Sequence, residues 1–130
     1  MQIREGTRAD FGALRPILDQ SPEAAQWLPN GHDFLVVESR DCIAGFLVWR
    51  RTAPDEVEIL NLAVAQSFRR QGVAKALLAA LPKADVFLEV RQSNAAAREL
   101  YLAAGFLEAG LRPAYYQNPP EGAIVMRLQS

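Results

Sequence analysis

From Cys42 to Trp49 the chain reads Cys-Ile-Ala-Gly-Phe-Leu-Val-Trp and is apolar on both alternations. Successive strand side chains point to opposite faces, so this run suits a central strand covered on both sides. In a chain of 130 residues the cover has to come from helices packed on a sheet, which points to an α/β architecture.

The flanking segments supply those helices. A short strand, Gln2 to Glu5, precedes Thr7-Arg8-Ala9-Asp10, a hydroxyl followed three residues later by a carboxylate. That capping-box form predicts a helix towards Asp19, kinked or shortened at Pro16. Ser21-Pro22-Glu23 predicts a second, short helix ending near Pro29-Asn30-Gly31. Strands are expected at Phe34 to Glu38 and Cys42 to Arg50 around the turn Ser39-Arg40-Asp41, and then at Glu56 to Val64. Apolar residues at Val73, Ala76, Leu77, Ala80 and Leu81 mark one face of a helix that Pro82 ends. Asp85 to Val90 reads as a strand, and Ser93 as the cap of a helix stopped by Gly105. Phe106 to Leu111 and Ala123 to Leu128 close the chain around a Pro-rich loop. The order β-α-α-β-β-β-α-β-α-β-β describes a mixed sheet, and with no repeat or linker in view it is expected to be one domain, 1–130.

Composition removes several classes of function. Lys+Arg 14 against Asp+Glu 15 gives a formal charge of -1, without the basic excess that wrapping a nucleic acid requires. Cys42 is the single cysteine, so no internal disulfide forms and no Cys/His cluster can hold zinc; no metal is expected. The N-terminus has no apolar signal run, and no 18-residue apolar stretch follows. The expected setting is the cytoplasm, with neither nucleic acid nor membrane as partner. Cys42 alternates with Ala44 and Phe46, so it reads as a packing residue and an acyl-cysteine route is disfavoured. His32 reads as a surface loop residue, and Trp27 and Trp49 as core or cleft wall.

One connection has the makings of a ligand site. Arg69-Arg70-Gln71-Gly72-Val73-Ala74 joins a strand to a helix. Gly72 has no Cβ, so the backbone around it can approach a ligand closely. The free amides of the helix's first turn favour an anion there. Arg69 and Arg70 add positive charge, and together these make a plausible pyrophosphate seat. Neither the P-loop pattern nor the dinucleotide glycine fingerprint is present.

The second half of the chain resembles the GNAT superfamily of N-acetyltransferases. Arg69-x-x-Gly72-x-Ala74 matches the superfamily's acyl-CoA-binding motif. The ordered segments Asn61-Leu-Ala-Val64, Leu88-Glu-Val-Arg91, Ser93-Asn-Ala-Ala-Ala97, Leu100-Tyr101 and Gly105-Phe106 are similar to bacterial ribosomal-protein-alanine N-acetyltransferases, as are Arg112-x-x-Tyr115-Tyr116 and Ala123-Ile-Val-Met126. The likeness runs from Val57 to Met126; Met1 to Arg51 matches only in element order. The connection Leu81 to Ala84 is shorter than the helix those relatives commonly have there. The resemblance implies a GNAT fold, a mixed and mostly antiparallel sheet flanked by helices with a splayed central strand pair.

It also implies a site. Acetyl-CoA is the acyl donor. Its pyrophosphate would be held by Arg69, Arg70, Gln71, Gly72, Val73, Ala74 and Lys75, its pantetheine arm by Leu62, Ala63 and Val64, with Asn94 a further contact. Glu89 and Tyr101 are the implied catalytic pair. An amine attacks a thioester only when neutral, so a carboxylate must take its proton, directly or through a water. The departing thiolate needs a proton, which a phenol can give. The resemblance implies a protein or peptide N-terminus as acceptor, with Tyr115 and Tyr116 in a peptide-facing wall. A small amine or amino acid as acceptor, or an acyl-CoA-binding module without activity, remains open at this point, as does the oligomeric state.

Overall fold

A computed structural model describes the chain except Glu23, Asn118 and Ser130 and the side chain of Ala114. Among the described residues ten strands and α-helices follow one another: β1 (Gln2–Glu5), α1 (Phe11–Asp19), β2 (Asp33–Ser39), β3 (Cys42–Ala53), β4 (Glu56–Val64), α2 (Val73–Ala79), β5 (Asp85–Arg91), α3 (Ala95–Ala103), β6 (Leu107–Tyr116) and β7 (Glu121–Leu128). The hydrogen-bonded strand order is β1-β2-β3-β4-β5-β7-β6. The chain divides into two compact units, residues 1–50 with 59–82 and residues 51–58 with 83–130.

In the first unit β1, β2 and β3 form an antiparallel meander, with Ile3 opposite Val37 and Val36 opposite Phe46. Ala44, Phe46, Leu47 and Val48 are all buried, as a strand apolar on both alternations requires. Leu14, Ile17 and Leu18 of α1 pack with Phe34, Val36, Phe46 and Val48 in one core cluster. On β3, Gly45 lies so close to β4 and α2 that a Cβ would meet the Ala63 carbonyl at 3.0 Å and Val73 Cγ1 at 2.9 Å. The entry to α1 is a 3-10 turn, Arg8–Asp10, in which Thr7 N–H donates to Asp10 Oδ2 at 2.8 Å. α1 runs through Pro16 to Asp19.

Three expectations in this unit need correction. No helix forms after Ser21: the described residues from there to His32 are irregular. Ser21 is not a free cap, because it is 1% exposed and its hydroxyl accepts from Arg69 Nη2 at 3.2 Å. Cys42 is exposed rather than packed, since it opens β3 at the hairpin turn and its thiol donates to the Ser39 carbonyl at 3.1 Å. Trp27 is exposed too, its ring 6.1 Å from that of His32.

In the second unit β4 begins parallel to β5, and β5, β7 and β6 continue antiparallel. The described parallel register covers Glu56↔Asp85, Val57↔Val86 and Glu58↔Phe87. Burial alternates along β5: Val86, Leu88 and Val90 are buried, while Phe87, Glu89 and Arg91 lie on the other face. Tyr101 of α3 and Phe106 are buried as well, with their rings 5.4 Å apart. Asn94, not Ser93, caps α3: its Oδ1 accepts from Ala97 N–H at 3.1 Å. Ser93 N–H is instead taken by Glu121 Oε2. β6 extends to Tyr116, beyond the expected Leu111, with Pro113 inside it. β6 is the sheet's edge, where a missing N–H breaks no ladder, and its register shifts between Arg112 and Tyr116.

Among the described residues no helix is long and apolar enough to cross a membrane, and no cluster of His, Cys, Asp or Glu is placed to hold a metal ion.

Candidate active site

The first unit presents the glycine loop. After β4 a 3-10 turn, Gln66–Phe68, leads to Arg70 and Gly72, both left-handed with φ of 63° and 79°. Gly72 is the N-cap of α2. A Cβ built there would meet nothing within 4 Å. The glycine is therefore not demanded by packing; its left-handed backbone and the open space beside it are what it supplies. The first-turn amides of α2 have no carbonyl upstream to bond within the helix. Arg70, Gln71 and Lys75 are exposed around them.

Arg69 does something other than add free charge. Its Nη2 donates to the Gln20 carbonyl at 2.6 Å and to Ser21 Oγ, and its Nε to the Val64 carbonyl at 3.3 Å. Gln66 N–H donates to Gln20 Oε1 at 2.8 Å. Asn61, 7% exposed, binds the Ala25 backbone through both ends of its amide. The glycine loop, the end of β4 and the irregular segment from Gln20 are thus stitched together by side chains. Of the backbone groups expected along the pantetheine, Leu62 N–H goes to Asn61 Oδ1 at 3.1 Å and the Val64 carbonyl to Arg69. Ala63 is buried.

The second unit holds both groups expected to move protons. Glu89 is not an exposed carboxylate: its side chain is 13% exposed and Oε1 accepts from Arg112 Nη1 at 2.5 Å. Its Oε2 is wholly buried and has no hydrogen-bond partner among the described residues. The Tyr116 hydroxyl donates to the Glu89 backbone carbonyl at 3.3 Å. Tyr101 is 7% exposed and burial pushes its phenol pKa well above the usual value, so the hydroxyl holds its proton firmly. Asn94, seven residues before Tyr101, spends its amide oxygen on the α3 cap.

Around Glu89 three arginines are each bracketed by an acid and a ring. Arg112 pairs with Glu89 and lies 4.4 Å from the centre of the Tyr115 ring. Arg91 pairs with Glu121 at 3.2 Å over Tyr116, and Arg127 with Glu56 at 3.3 Å over Phe87. The Tyr115 and Tyr116 rings meet edge to face, 5.1 Å apart. The sequence gives no sign of the pairings that Arg112 and Asn61 make. Both stand inside the motif segments quoted above, but their partners lie 23 and 36 residues away.

The first unit thus carries an open glycine loop at a helix start, and the second a buried carboxylate and a buried phenol. The chain belongs to the acetyltransferase (GNAT) family, whose model matches residues 1–106. Among its relatives, it is 39% identical over 99 residues to the ribosomal protein bS18-alanine N-acetyltransferase of Haemophilus ducreyi, a stretch covering 68% of each protein. It is 43% identical over 83 residues to the Escherichia coli protein of the same name, covering 57% of this chain and 56% of that one. A crystal structure of the Escherichia coli ribosomal-protein-S18-alanine N-acetyltransferase superposes with a TM-score of 0.78 at 29% identity, over 98% of this chain and 92% of that one. The Ard1 structure from Thermoplasma volcanium does so with 0.78 at 28% identity, over 98% and 96%.

Proposed function

We propose that the chain, acting as a single acetyltransferase domain in the cytoplasm, moves acetyl from acetyl-CoA to the α-amino group of a protein or peptide N-terminus. The observation that carries this reading is the buried, unpartnered Oε2 of Glu89, a carboxylate oxygen available for one proton. Gly72 and the amides of Val73, Ala74 and Lys75, with Arg70 and Gln71 beside them, would hold the pyrophosphate; the open space at Gly72 fits such a group. Leu62 to Val64 would hold the pantetheine arm and Asn94 a further part of the donor. Arg69 contributes by fixing the loop rather than by touching phosphate.

When bound, acetyl-CoA supplies an activated acetyl thioester. Glu89 takes the proton of the attacking amine, directly or through a water. Tyr101 keeps its proton until a thiolate is there to receive it. An α-amino group has a pKa near 8, so roughly a tenth of it is neutral at pH 7. A lysine amine is neutral about once in 2,500, a further handicap of about 3 kcal/mol. A carboxylate base suits the first acceptor. Tyr115 and Tyr116, each held under an arginine, form a rigid wall for the acceptor's first residues, and a small first residue such as alanine is the preferred fit.

Thiol release from acetyl-CoA tests the reading on an Ala-led peptide, its Nα-acetylated lysine-containing twin, and a set of free amino acids and polyamines. The expected order is the free N-terminus first. Faster turnover on the blocked peptide's lysine, or on a small amine, overturns the acceptor assignment.

A further inference from the structure

We infer that Arg112 is a positioning residue for Glu89: it occupies one carboxylate oxygen so that the other alone takes the acceptor's proton. The inference rests on the reading of Glu89 as the base. Its starting point is an asymmetry within the chain. Arg4 satisfies Asp10 with two nitrogens on two oxygens, Nη2 to Oδ1 at 2.7 Å and Nη1 to Oδ2 at 2.9 Å. That is the two-pronged geometry of a structural arginine–carboxylate pair. Arg112 instead places one nitrogen on Oε1 of Glu89 and leaves Oε2 buried without a partner. Buried polar atoms without partners are rare in folded proteins and costly to keep.

The neighbours of the pair hold it in place. The Arg112 guanidinium lies over the Tyr115 ring, and Glu58 on β4 attracts it electrostatically. On β6 the Tyr116 hydroxyl fixes the Glu89 backbone, and Val125 of β7 stands opposite Glu89 in the register. Rotating the carboxylate would break the Arg112 bond to Oε1. Arg112 does not accept the proton, because a guanidinium is already fully protonated. As the amine's N–H bond breaks, an O–H bond forms at Oε2; the N–H bonding pair stays on nitrogen, and the proton later leaves to water.

The test compares Arg112→Gln, Arg112→Lys, Glu89→Gln and the double variant Glu89→Gln/Arg112→Gln with the parent, on an Ala-led peptide. Arg112 is half-exposed, so the substitution leaves the core untouched. Misplacing a catalytic group by an ångström costs on the order of 100-fold. Arg112→Gln is expected to lower kcat by about 10- to 100-fold, with acetyl-CoA affinity by calorimetry within about twofold and any rise in the peptide KM, from the loosened Tyr115, smaller than the loss in kcat. Arg112→Lys should recover most of the loss. The double variant should be no slower than Glu89→Gln, because Arg112 acts through that carboxylate. A double variant slowed by both factors, or a loss confined to the peptide KM, overturns the inference and leaves Glu89 as base. Glu89→Gln at parental speed overturns both. Glu89→Gln slow with Arg112→Gln at parental speed removes the positioning role alone.

Discussion

The side chain of Asn61 pairs with the backbone of Ala25 as a neighbouring strand would: Nδ2 donates to the carbonyl at 2.8 Å and Oδ1 accepts the N–H at 3.2 Å. The same Oδ1 also takes Leu62 N–H. One buried amide thus anchors an irregular segment to β4, two residues before the strand reaches Ala63. Arg69 makes the corresponding anchor at Gln20 and Ser21. The segment that sequence pattern assigns to a helix is held in shape by these long-range bonds.

Asn61→Ala should therefore cost more than a surface change. It strips partners from both the N–H and the carbonyl of Ala25, and a buried group left unpaired costs roughly 1–3 kcal/mol. Urea unfolding should show a loss of that size. Native-state hydrogen exchange should show Ala25 and Leu62 amides exchanging faster, while core amides of β3 keep pace only with global stability. Unchanged protection at Ala25 would mean that the segment is held by other contacts.

What was legible in the sequence follows from the range of the forces involved. β4, Glu56 to Val64, needs only its own alternation and a turn before it, and its bounds come out as expected. β5 is likewise readable, because Val86, Leu88 and Val90 declare a face. Failures occur where a distant residue decides. Ser21 looks like a helix cap until Arg69 and the chain fold bury it. Cys42 looks like core until the hairpin register places it at the exposed end of β3. Glu89 and Tyr101 are singled out only by the family resemblance, and the pairing of Glu89 with Arg112 has no signal in the sequence. It depends on how β5, β7 and β6 align, with Glu89 opposite Val125 and Arg112 opposite Ala123.

Gly72→Val separates packing from ligand binding. The glycine has φ of 79° and open space around its missing Cβ. A branched residue there pays only the left-handed backbone cost, roughly 1–2 kcal/mol, so the variant should fold. Acetyl-CoA affinity should fall by about tenfold or more, each decade being about 1.4 kcal/mol. Calorimetry on the folded variant checks this, and Gly72→Ala should lie between the two. Parental affinity in Gly72→Val would move the pyrophosphate elsewhere.

Tyr101→Phe is expected to slow turnover by roughly 100- to 10,000-fold at saturating substrates, the usual range for a general acid. Stability should change little, because phenylalanine keeps the ring that packs against Phe106. The pH dependence follows from burial, which raises the phenol above its ordinary 10.0. The proton is thus retained through the alkaline range, and the parent's rate should hold a plateau up to about pH 10 once the acceptor amine is neutral. A fall below pH 10 that vanishes in Tyr101→Phe would show an ordinary phenol in place of the buried one.

Arg4 and Asp10 set an acid limit on stability. The hydrogen bonds from Arg4 hold the Asp10 carboxyl below its ordinary value, against the opposing effect of burial, and the Thr7 N–H adds to the lowering. A carboxylate whose folded pKa is depressed contributes stability that is fully present above its unfolded value near 3.9 and is lost as pH falls through the lower folded one. Arg4 itself is pushed further towards the charged form and does not titrate in this window. In Arg4→Met the pair is gone, and only the Thr7 N–H is left to oppose the burial that disfavours the charged carboxylate. The stability difference between parent and variant should be largest at pH 5 to 7 and shrink steadily towards pH 3 and below. Urea unfolding of both proteins across that range reads it directly. A difference that does not change with pH would mean that Arg4 supports the fold through its packing, and not through the charge on Asp10.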